Sequence, residues 1–312
     1  MPALKDIRII FMGTPDFAVP TLKALVEEGL NVVAVVTAPD KPAGRGMQLQ
    51  KSAVGQYAQQ AGLPLLQPEK LRDPQFISEL ERLKADLQIV VAFRMLPELV
   101  WNMPPMGTVN LHASLLPAYR GAAPINWAVI NGETMTGITT FKLQHAIDTG
   151  NILLQEELPI SETENAGSVH DRMQEAGAKL VLETVKGLAD GTLKEHPQKE
   201  SGSLKAAPKI FKETCRIDFN QSVATVYNLI RGLAPFPTAY TELEGKTLKV
   251  FEAHKELSSE PVTVGGLQTD GSTYLKFGCK DGYIVLDQIQ LAGKKRMQIK
   301  DFLRGYRFES NS

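Results

Sequence analysis

The chain has 312 residues, of which 43% are hydrophobic and 22% are charged, and its formal net charge is −1. This length and composition exclude a disordered segment and a small disulfide scaffold, and they predict about two folded domains. The longest apolar runs, at 32–36 and 89–93, are far shorter than the ~20 residues of a membrane span, and two cysteines are too few for a disulfide framework. We therefore expect a soluble protein of the reducing cytoplasm, without a secretory signal.

The first half of the chain alternates short apolar runs with stretches of helical periodicity. The strands predicted there span residues 7–12, 32–37, 63–66, 87–93, 107–112, 137–143 and 152–158. The helices predicted there span residues 17–28, 52–61, 74–83, 123–130 and 166–188. This alternation predicts a doubly wound, mostly parallel sheet.

The second half begins with a polar segment rich in glycine, proline and lysine, which is typical of a linker. A helix at 221–231 is predicted next, and the short strands that follow span residues 238–243, 248–254, 262–268, 272–277 and 283–291. Short alternating strands separated by Gly and Asp turns are expected of a small β-barrel. The expected organisation is a catalytic domain at 1–190, a linker at 191–212 and a barrel domain at 213–312.

Charge is distributed unevenly between the two halves. Residues 1–192 contain 16 basic and 21 acidic side chains, whereas residues 193–312 contain 18 basic and 14 acidic side chains. A basic second half favours an anionic partner such as nucleic acid. An ordinary scatter of solvated surface charge is the alternative interpretation.

The turn after the first strand does not predict dinucleotide binding. Of the glycines in a G-x-G-x-x-G motif only Gly13 is present, so the backbone cannot approach a pyrophosphate in the usual way. Thr14 in this turn is expected to cap the following helix.

The most informative residues lie at the end of the strand at 107–112. Asn110 and His112 are two positions apart, so their side chains share one face at the carboxyl end of a sheet strand, where open α/β sheets bind ligands. An amide donor beside an imidazole suits stabilisation of an oxyanion together with removal of a proton from an attacking amine. Asp148 would orient the ring and stabilise its protonated form. The alternative is a core histidine and an acidic turn residue.

Several segments resemble a known family. The stretch NLHASLLPAYRG at 110–121, with Asp148-Thr149-Gly150, resembles the signature of enzymes that use 10-formyltetrahydrofolate. The continuation GAAPINWAVINGE, the loop PAGRG at 42–46 and the segments APKI, RIDF and IRGLAPFP of the second half resemble the methionyl-tRNA formyltransferase family in particular. The resemblance covers nearly the whole chain and implies a Rossmann-like catalytic sheet followed by an OB-like barrel.

The resemblance also implies roles for individual residues. The implied catalytic residues are Asn110, His112 and Asp148, and the implied folate-side loop consists of Ser114, Leu115, Leu116 and Pro117. Arg45 corresponds to the arginine that reads the acceptor end of tRNA, and Lys209 belongs to the lysines of the phosphate-contacting surface. The sequence departs from the family at Ala118, where a basic or amide residue is frequent, and at Met47-Gln48, where a Lys-Lys pair is frequent. Basic contact near the acceptor stem is therefore expected either to be weaker or to be supplied by Lys51.

The implied reaction transfers the formyl group of 10-formyltetrahydrofolate to the α-amino group of methionyl initiator tRNA, for translation initiation. The expected partners are this tRNA and the folate cosubstrate, with no membrane, and the expected state is a monomer. No metal is predicted, because the histidines lack metal-ligand spacing. Two alternatives remain. A sugar-nucleotide N-formyltransferase would need neither the PAGRG loop nor a basic barrel, and the intact trio argues against a non-catalytic RNA-binding protein.

Overall fold

The computed structural model describes residues 3–43, 48–199 and 204–308. The chain forms two compact units, neither of which is continuous in sequence. The first unit consists of Met1–Arg120, Gly137–Leu158 and His170–Lys205, and the second consists of Gly121–Thr136, Pro159–Val169 and Ala206–Ser312. The domain boundaries expected at residues 190 and 213 stay a prediction.

The described residues form strands and α-helices that we number in chain order. The strands are β1 (Ile9–Gly13), β2 (Val32–Val36), β3 (Lys41–Ala43), β4 (Gln48–Gln50), β5 (Leu65–Leu66), β6 (Leu87–Val91), β7 (Thr108–His112), β8 (Arg120–Gly121), β9 (Met135–Lys142), β10 (Ile152–Pro159), β11 (Ala206–Ala207), β12 (Ala239–Leu243), β13 (Lys246–Leu257), β14 (Leu267–Thr269), β15 (Leu275–Cys279), β16 (Gly282–Leu291) and β17 (Met297–Gln298). The helices are α1 (Val19–Glu27), α2 (Ala53–Gln60), α3 (Pro74–Leu83), α4 (Glu98–Trp101), α5 (Pro124–Ile130), α6 (Ala166–Ala189), α7 (Val223–Leu233) and α8 (Ile299–Gly305).

A seven-stranded sheet in the order β10-β9-β7-β6-β1-β2-β5 organises the first unit. The neighbours β1/β2, β1/β6, β2/β5 and β6/β7 pair in parallel, whereas β7 and β9 pair antiparallel. This sheet confirms the predicted doubly wound, mostly parallel architecture. The carboxyl ends of β1, β6 and β7 therefore lie at one edge, where loops from neighbouring strands meet.

Local sequence explains where these elements begin and which faces they bury. All five residues of β1 are buried, as expected of a central parallel strand covered on both faces. Helix α3 begins at Pro74, the favoured first helical residue, and the Asp73 carboxylate accepts a hydrogen bond from the Gln75 N–H. Phe76 and Leu80 of the same helix bury their side chains in the core on one face of the sheet.

The second unit contains a curled antiparallel sheet, which has the form of half a barrel and confirms the barrel-like second architecture. Its strands follow the order β12-β13-β16-β15-β14, with β17 paired to β16. Helix α7 begins after Ser222, whose hydroxyl accepts a hydrogen bond from the Thr225 N–H. Val226 and Ile230 of α7 belong to the same buried core as Val250 of β13.

Some local predictions differ from the structure. Thr14 does not cap a helix, because the 3-10 helix at Asp16–Ala18 has Pro15 as its N-cap residue and α1 has Ala18, and neither makes a side-chain capping hydrogen bond. The strand expected over 262–268 is wrong for most of its length, because the Gly266 N–H bonds to the Thr263 carbonyl in a turn with Gly265 at a φ of +74°, and only Leu267–Thr269 is extended. The loop expected at 42–46 begins within a strand, because residues 42 and 43 belong to β3, which pairs antiparallel with β4. Residues 44–47, including Arg45, lie outside the described residues. None of the helices in the described ranges is long and apolar enough to cross a bilayer.

Candidate active site

Strand β7 places Asn110 and His112 at the carboxyl edge of the sheet. Asn110 lies between Val90 of β6 and Phe141 of β9, and His112 lies opposite Thr139 of β9. Because the two residues are two positions apart in a regular strand, both side chains project from the same face. The structure thus brings the predicted pair to the edge where ligands bind in open α/β sheets.

The His112 ring is buried, and each of its nitrogens has a defined neighbour. The residue is 7% exposed, and its Nε2 lies 2.9 Å from the main-chain carbonyl oxygen of Tyr119. A carbonyl oxygen only accepts, so Nε2 carries a proton and donates this hydrogen bond. His112 Nδ1 is therefore the nitrogen that can accept a proton from a reacting group.

Asp148 faces that second nitrogen. Its Oδ2 lies 3.9 Å from His112 Nδ1, and its side chain is 13% exposed. This distance is too long for a hydrogen bond, but the carboxylate is close enough to interact electrostatically with that edge of the ring. Asp148 has a φ of +53°, a left-handed conformation that residues other than glycine rarely adopt. Surrounding interactions must therefore hold its main chain in place.

The Asn110 amide completes the predicted trio. The residue is partly buried, and its side chain makes no hydrogen bond to any other described residue. An amide group that the protein leaves uncommitted at a strand end can donate to a substrate oxygen without breaking an internal bond. Together, Asn110 and His112 offer a hydrogen-bond donor and a proton acceptor on one face.

The loop from Ser114 to Pro117 is organised by Thr139 of β9. The Thr139 hydroxyl donates to the Ser114 carbonyl oxygen at 2.6 Å and accepts from the Leu116 N–H at 3.2 Å. Gln155 Nε2 adds bonds to the Thr139 hydroxyl at 2.9 Å and to the Leu116 carbonyl oxygen at 3.0 Å. The Ser114 hydroxyl donates to the Ala118 carbonyl oxygen. These polar groups are therefore hydrogen-bonded within the protein. A ligand at this loop would interact with it mainly through van der Waals contacts.

Sequence reasoning missed both Thr139 and Gln155. Neither residue belongs to a motif, and the hydrogen bonds from Gln155 reach back 16 residues to Thr139 and 39 residues to Leu116. Only the pairing of β7 with β9 brings Thr139 to the loop. No spacing in the sequence signals that role.

Of the two residues predicted to contact tRNA, the structure describes Lys209 but not Arg45. Lys209 is an exposed residue of the second unit, with its Nζ 5.7 Å from the centre of the Phe211 ring. His145 has an 87% exposed side chain that lies 3.4 Å from the Glu98 carboxylate, as expected of a surface residue. Within the described ranges, no group of three or more His, Cys, Asp or Glu side chains is placed to hold a metal ion.

Replacing Thr139 tests its role in the loop. We expect Thr139→Val to lower the free energy of unfolding by about 1–3 kcal/mol, because an isosteric side chain leaves the buried partners of the hydroxyl unsatisfied. Chemical denaturation measures this change. Thr241→Val is the matched control, since the hydroxyl of this β12 residue makes no side-chain hydrogen bond with the described residues. Equal stability of the two variants would contradict the role assigned to Thr139.

Comparison with known families gives matches in both halves of the chain. Residues 7–185 match the family described as formyl transferase, and residues 209–307 match the one described as formyl transferase, C-terminal domain. The methionyl-tRNA formyltransferase of Parabacteroides distasonis is 58% identical over 313 residues and covers 97% of both chains. The methionyl-tRNA formyltransferase of Flavobacterium johnsoniae is 48% identical and covers 99% of both chains.

Solved structures share the fold at low identity. HypX from Aquifex aeolicus in complex with tetrahydrofolic acid has a TM-score of 0.65 at 21% identity, and the match covers 97% of this chain and 48% of that one. An N-formyltransferase from Helicobacter canadensis, in complex with folinic acid and dTDP-3-aminofucose, has a TM-score of 0.65 at 19% identity, with 91% and 100% coverage. These likenesses support the fold alone. Since the family matches fall in both halves and the similarity to curated relatives is high over the full length, the chain belongs to the methionyl-tRNA formyltransferase family.

Proposed function

We propose that the protein transfers the formyl group of 10-formyltetrahydrofolate to the α-amino group of methionine esterified to initiator tRNA. The observation that carries this proposal is the full-length similarity to relatives that bear the name of this activity. The geometry of Asn110 and His112 supports acyl transfer to an amine, because a donor and a proton acceptor share one face of β7.

In this mechanism the attacking group is the amine of the charged tRNA, so no serine or cysteine nucleophile is required. Asn110 donates a hydrogen bond to the oxygen on which negative charge develops. His112 Nδ1, directly or through a water molecule, takes the proton that the amine loses, and the Asp148 carboxylate stabilises the resulting imidazolium. The same proton would then pass to the folate nitrogen as its bond to the formyl carbon breaks, which would return His112 to its neutral form. The Tyr119 carbonyl keeps the ring orientation fixed while its charge changes.

The folate cosubstrate supplies, when bound, a formyl group attached to a nitrogen that can leave. The residues present fit such a donor, because the Asn110 amide has no hydrogen-bond partner among the described residues and the loop from Ser114 to Pro117 is internally satisfied. Ser114 and Leu116 are buried, so this loop would act on the folate side through its shape. Holding amine and donor together at one strand end would supply much of the acceleration through positioning.

Recognition of tRNA is assigned to basic residues outside the trio. Arg45, through its resemblance to the arginine that reads the acceptor end, and Lys209, through its exposed charge, are the proposed contacts. Lysines that neutralise phosphates release counterions, so such contacts add affinity without contributing to the chemistry. The monomeric state and the cytoplasmic location predicted from the sequence stay predictions.

The proposed substrate is tested by a direct formylation assay. We expect the protein, given 10-formyltetrahydrofolate, to formylate methionyl initiator tRNA much faster than methionyl elongator tRNA or a dTDP-linked amino sugar. Separation of formylated from free aminoacyl product measures each rate. A faster rate with the amino sugar would reject the tRNA substrate and favour the sugar-nucleotide alternative.

Replacing Asn110 or His112 tests the proposed chemistry. We expect Asn110→Ala and His112→Ala each to lower kcat by about 2.7–4 kcal/mol of transition-state stabilisation, roughly 100- to 1,000-fold, with smaller effects on donor binding. Steady-state kinetics and donor titration measure the two quantities. His145→Ala is the control, because the exposed His145 ring pairs with the surface residue Glu98 and makes no other ion pair or hydrogen bond with the described residues. Turnover near that of the parent in both test variants would show that Asn110 and His112 do not form the catalytic site.

Charge reversal at Lys209 tests the proposed phosphate contact. We expect Lys209→Glu to weaken binding of charged tRNA and to make the slope of log affinity against log salt shallower by about one unit. Binding titrations at several salt concentrations measure the slope. Lys23→Glu produces the same change in net charge on α1, where Lys23 pairs with Glu27. An identical slope for both variants would show that only net charge matters.

A further inference from the structure

The segment that contains Glu195, His196 and Gln198 lies between the two family matches, and it is bonded to the loop that contains Asp148. The Glu195 carboxylate forms an ion pair with Lys142 at 2.7 Å and accepts a hydrogen bond from Asn151 Nδ2 at 3.0 Å. The hydrogen bond from Lys142 lowers the pKa of the Glu195 carboxyl, as expected of an ion pair that forms in the folded protein. One residue later, the main chain of His196 exchanges two 2.8 Å hydrogen bonds with Ile152.

Gln198 follows these anchors and uses its whole amide. Its Nε2 donates to the carbonyl oxygens of Asp148 and Gly150, both at 2.8 Å. Its Oε1 accepts from Arg120 Nη2 at 2.7 Å and from Arg120 Nε at 3.1 Å. Two donor hydrogens and two acceptor lone pairs are thus all used. The reverse orientation of the amide would set oxygen against carbonyl oxygens and N–H against the guanidinium, so the network fixes the side chain.

The two segments that Gln198 joins each contain a neighbour of the His112 ring. Arg120 directly follows Tyr119, whose carbonyl oxygen accepts the hydrogen bond from His112 Nε2. Asp148 presents its carboxylate to His112 Nδ1. The left-handed main chain of Asp148 requires support from its surroundings, and Gln198 bonds directly to the carbonyl of that residue.

We propose that Gln198 is a positioning residue of the formyl-transfer site, which ties the Asp148–Gly150 loop to Arg120 and so fixes the Asp148 carboxylate opposite His112. The inference rests on the proposed roles of His112 and Asp148. It assigns a function in catalysis to a side chain of the segment that the sequence presents as a passive linker. Gln198 makes no hydrogen bond to the His112 ring among the described residues, and it acts through the Asp148–Gly150 loop and Arg120.

Two substitutions separate positioning from other roles. Gln198→Met keeps the length of the side chain but removes all four hydrogen bonds, and Gln198→Glu keeps an acceptor for Arg120 but sets oxygen against the two carbonyls. We expect both variants to lower kcat by about 10- to 100-fold, as for a small misplacement of a reacting group, with KM for donor and tRNA changed less than about threefold. His196→Ala is the control, since its anchoring bonds are made by the main chain.

A second measurement needs no substrate. In histidine-labelled protein, the His112 ring resonances, identified by their loss in His112→Gln, should shift in both Gln198 variants and stay in place in His196→Ala. If the parent enzyme fails to formylate charged tRNA, the proposed function fails while these resonances still decide the role of Gln198. If Gln198→Met does not fold, both the kinetic and the resonance measurements are made on Gln198→Glu.

Other outcomes overturn the proposal. Activity of Gln198→Glu close to that of the parent would show that Gln198 serves only as a partner for Arg120. Unchanged His112 resonances would show that any loss of kcat does not pass through the ring. A lowered unfolding midpoint with unchanged kcat per folded molecule would leave Gln198 a purely structural residue.

Discussion

The arrangement of the His112 ring is the constraint on which the candidate site depends. One nitrogen donates to the Tyr119 carbonyl, and the other faces the Asp148 carboxylate at 3.9 Å. A main-chain acceptor at Nε2 fixes which nitrogen remains to accept a proton, because a carbonyl cannot donate. In the proposed mechanism, the path of the main chain at Tyr119 would therefore determine the direction of proton movement, together with the strand that carries His112.

The sheet explains how this arrangement is held in place. Strand β7 pairs with β6 on one side and with β9 on the other, so its carboxyl end is held on both sides. Thr139 and Gln155 then satisfy the main chain of the following loop, which would otherwise bury unpaired polar groups. The Asn110 side chain has no hydrogen-bond partner among the described residues, and it lies on the same face as His112.

The sequence predicts those parts of the molecule that depend on near neighbours in the chain. The two-residue spacing of Asn110 and His112 predicts a shared face, and Asp73-Pro74 marks the first residues of a helix. The pairing of Asp148 with the ring rests on the chemistry of a carboxylate beside an imidazole and on the family resemblance, since no periodicity relates positions 112 and 148. The expected strand at 262–268 was wrong because apolar alternation did not reveal the turn at Gly265. Gln198, which lies 78 residues from Arg120, carries no local signal.

The choice of a neutral amide at position 198 follows from the charges around it. Asp148 already supplies one negative charge next to His112, and Arg120 supplies a positive charge in the adjoining loop. A carboxylate between them would pair with the guanidinium and at the same time repel two carbonyl oxygens that now accept N–H bonds. An amide satisfies donors and acceptors together and adds no charge, so it joins the loops without competing with Asp148 for the imidazolium. The polar composition that makes this segment resemble a linker thus includes the amide that, in the proposed role, ties the Asp148–Gly150 loop to Arg120.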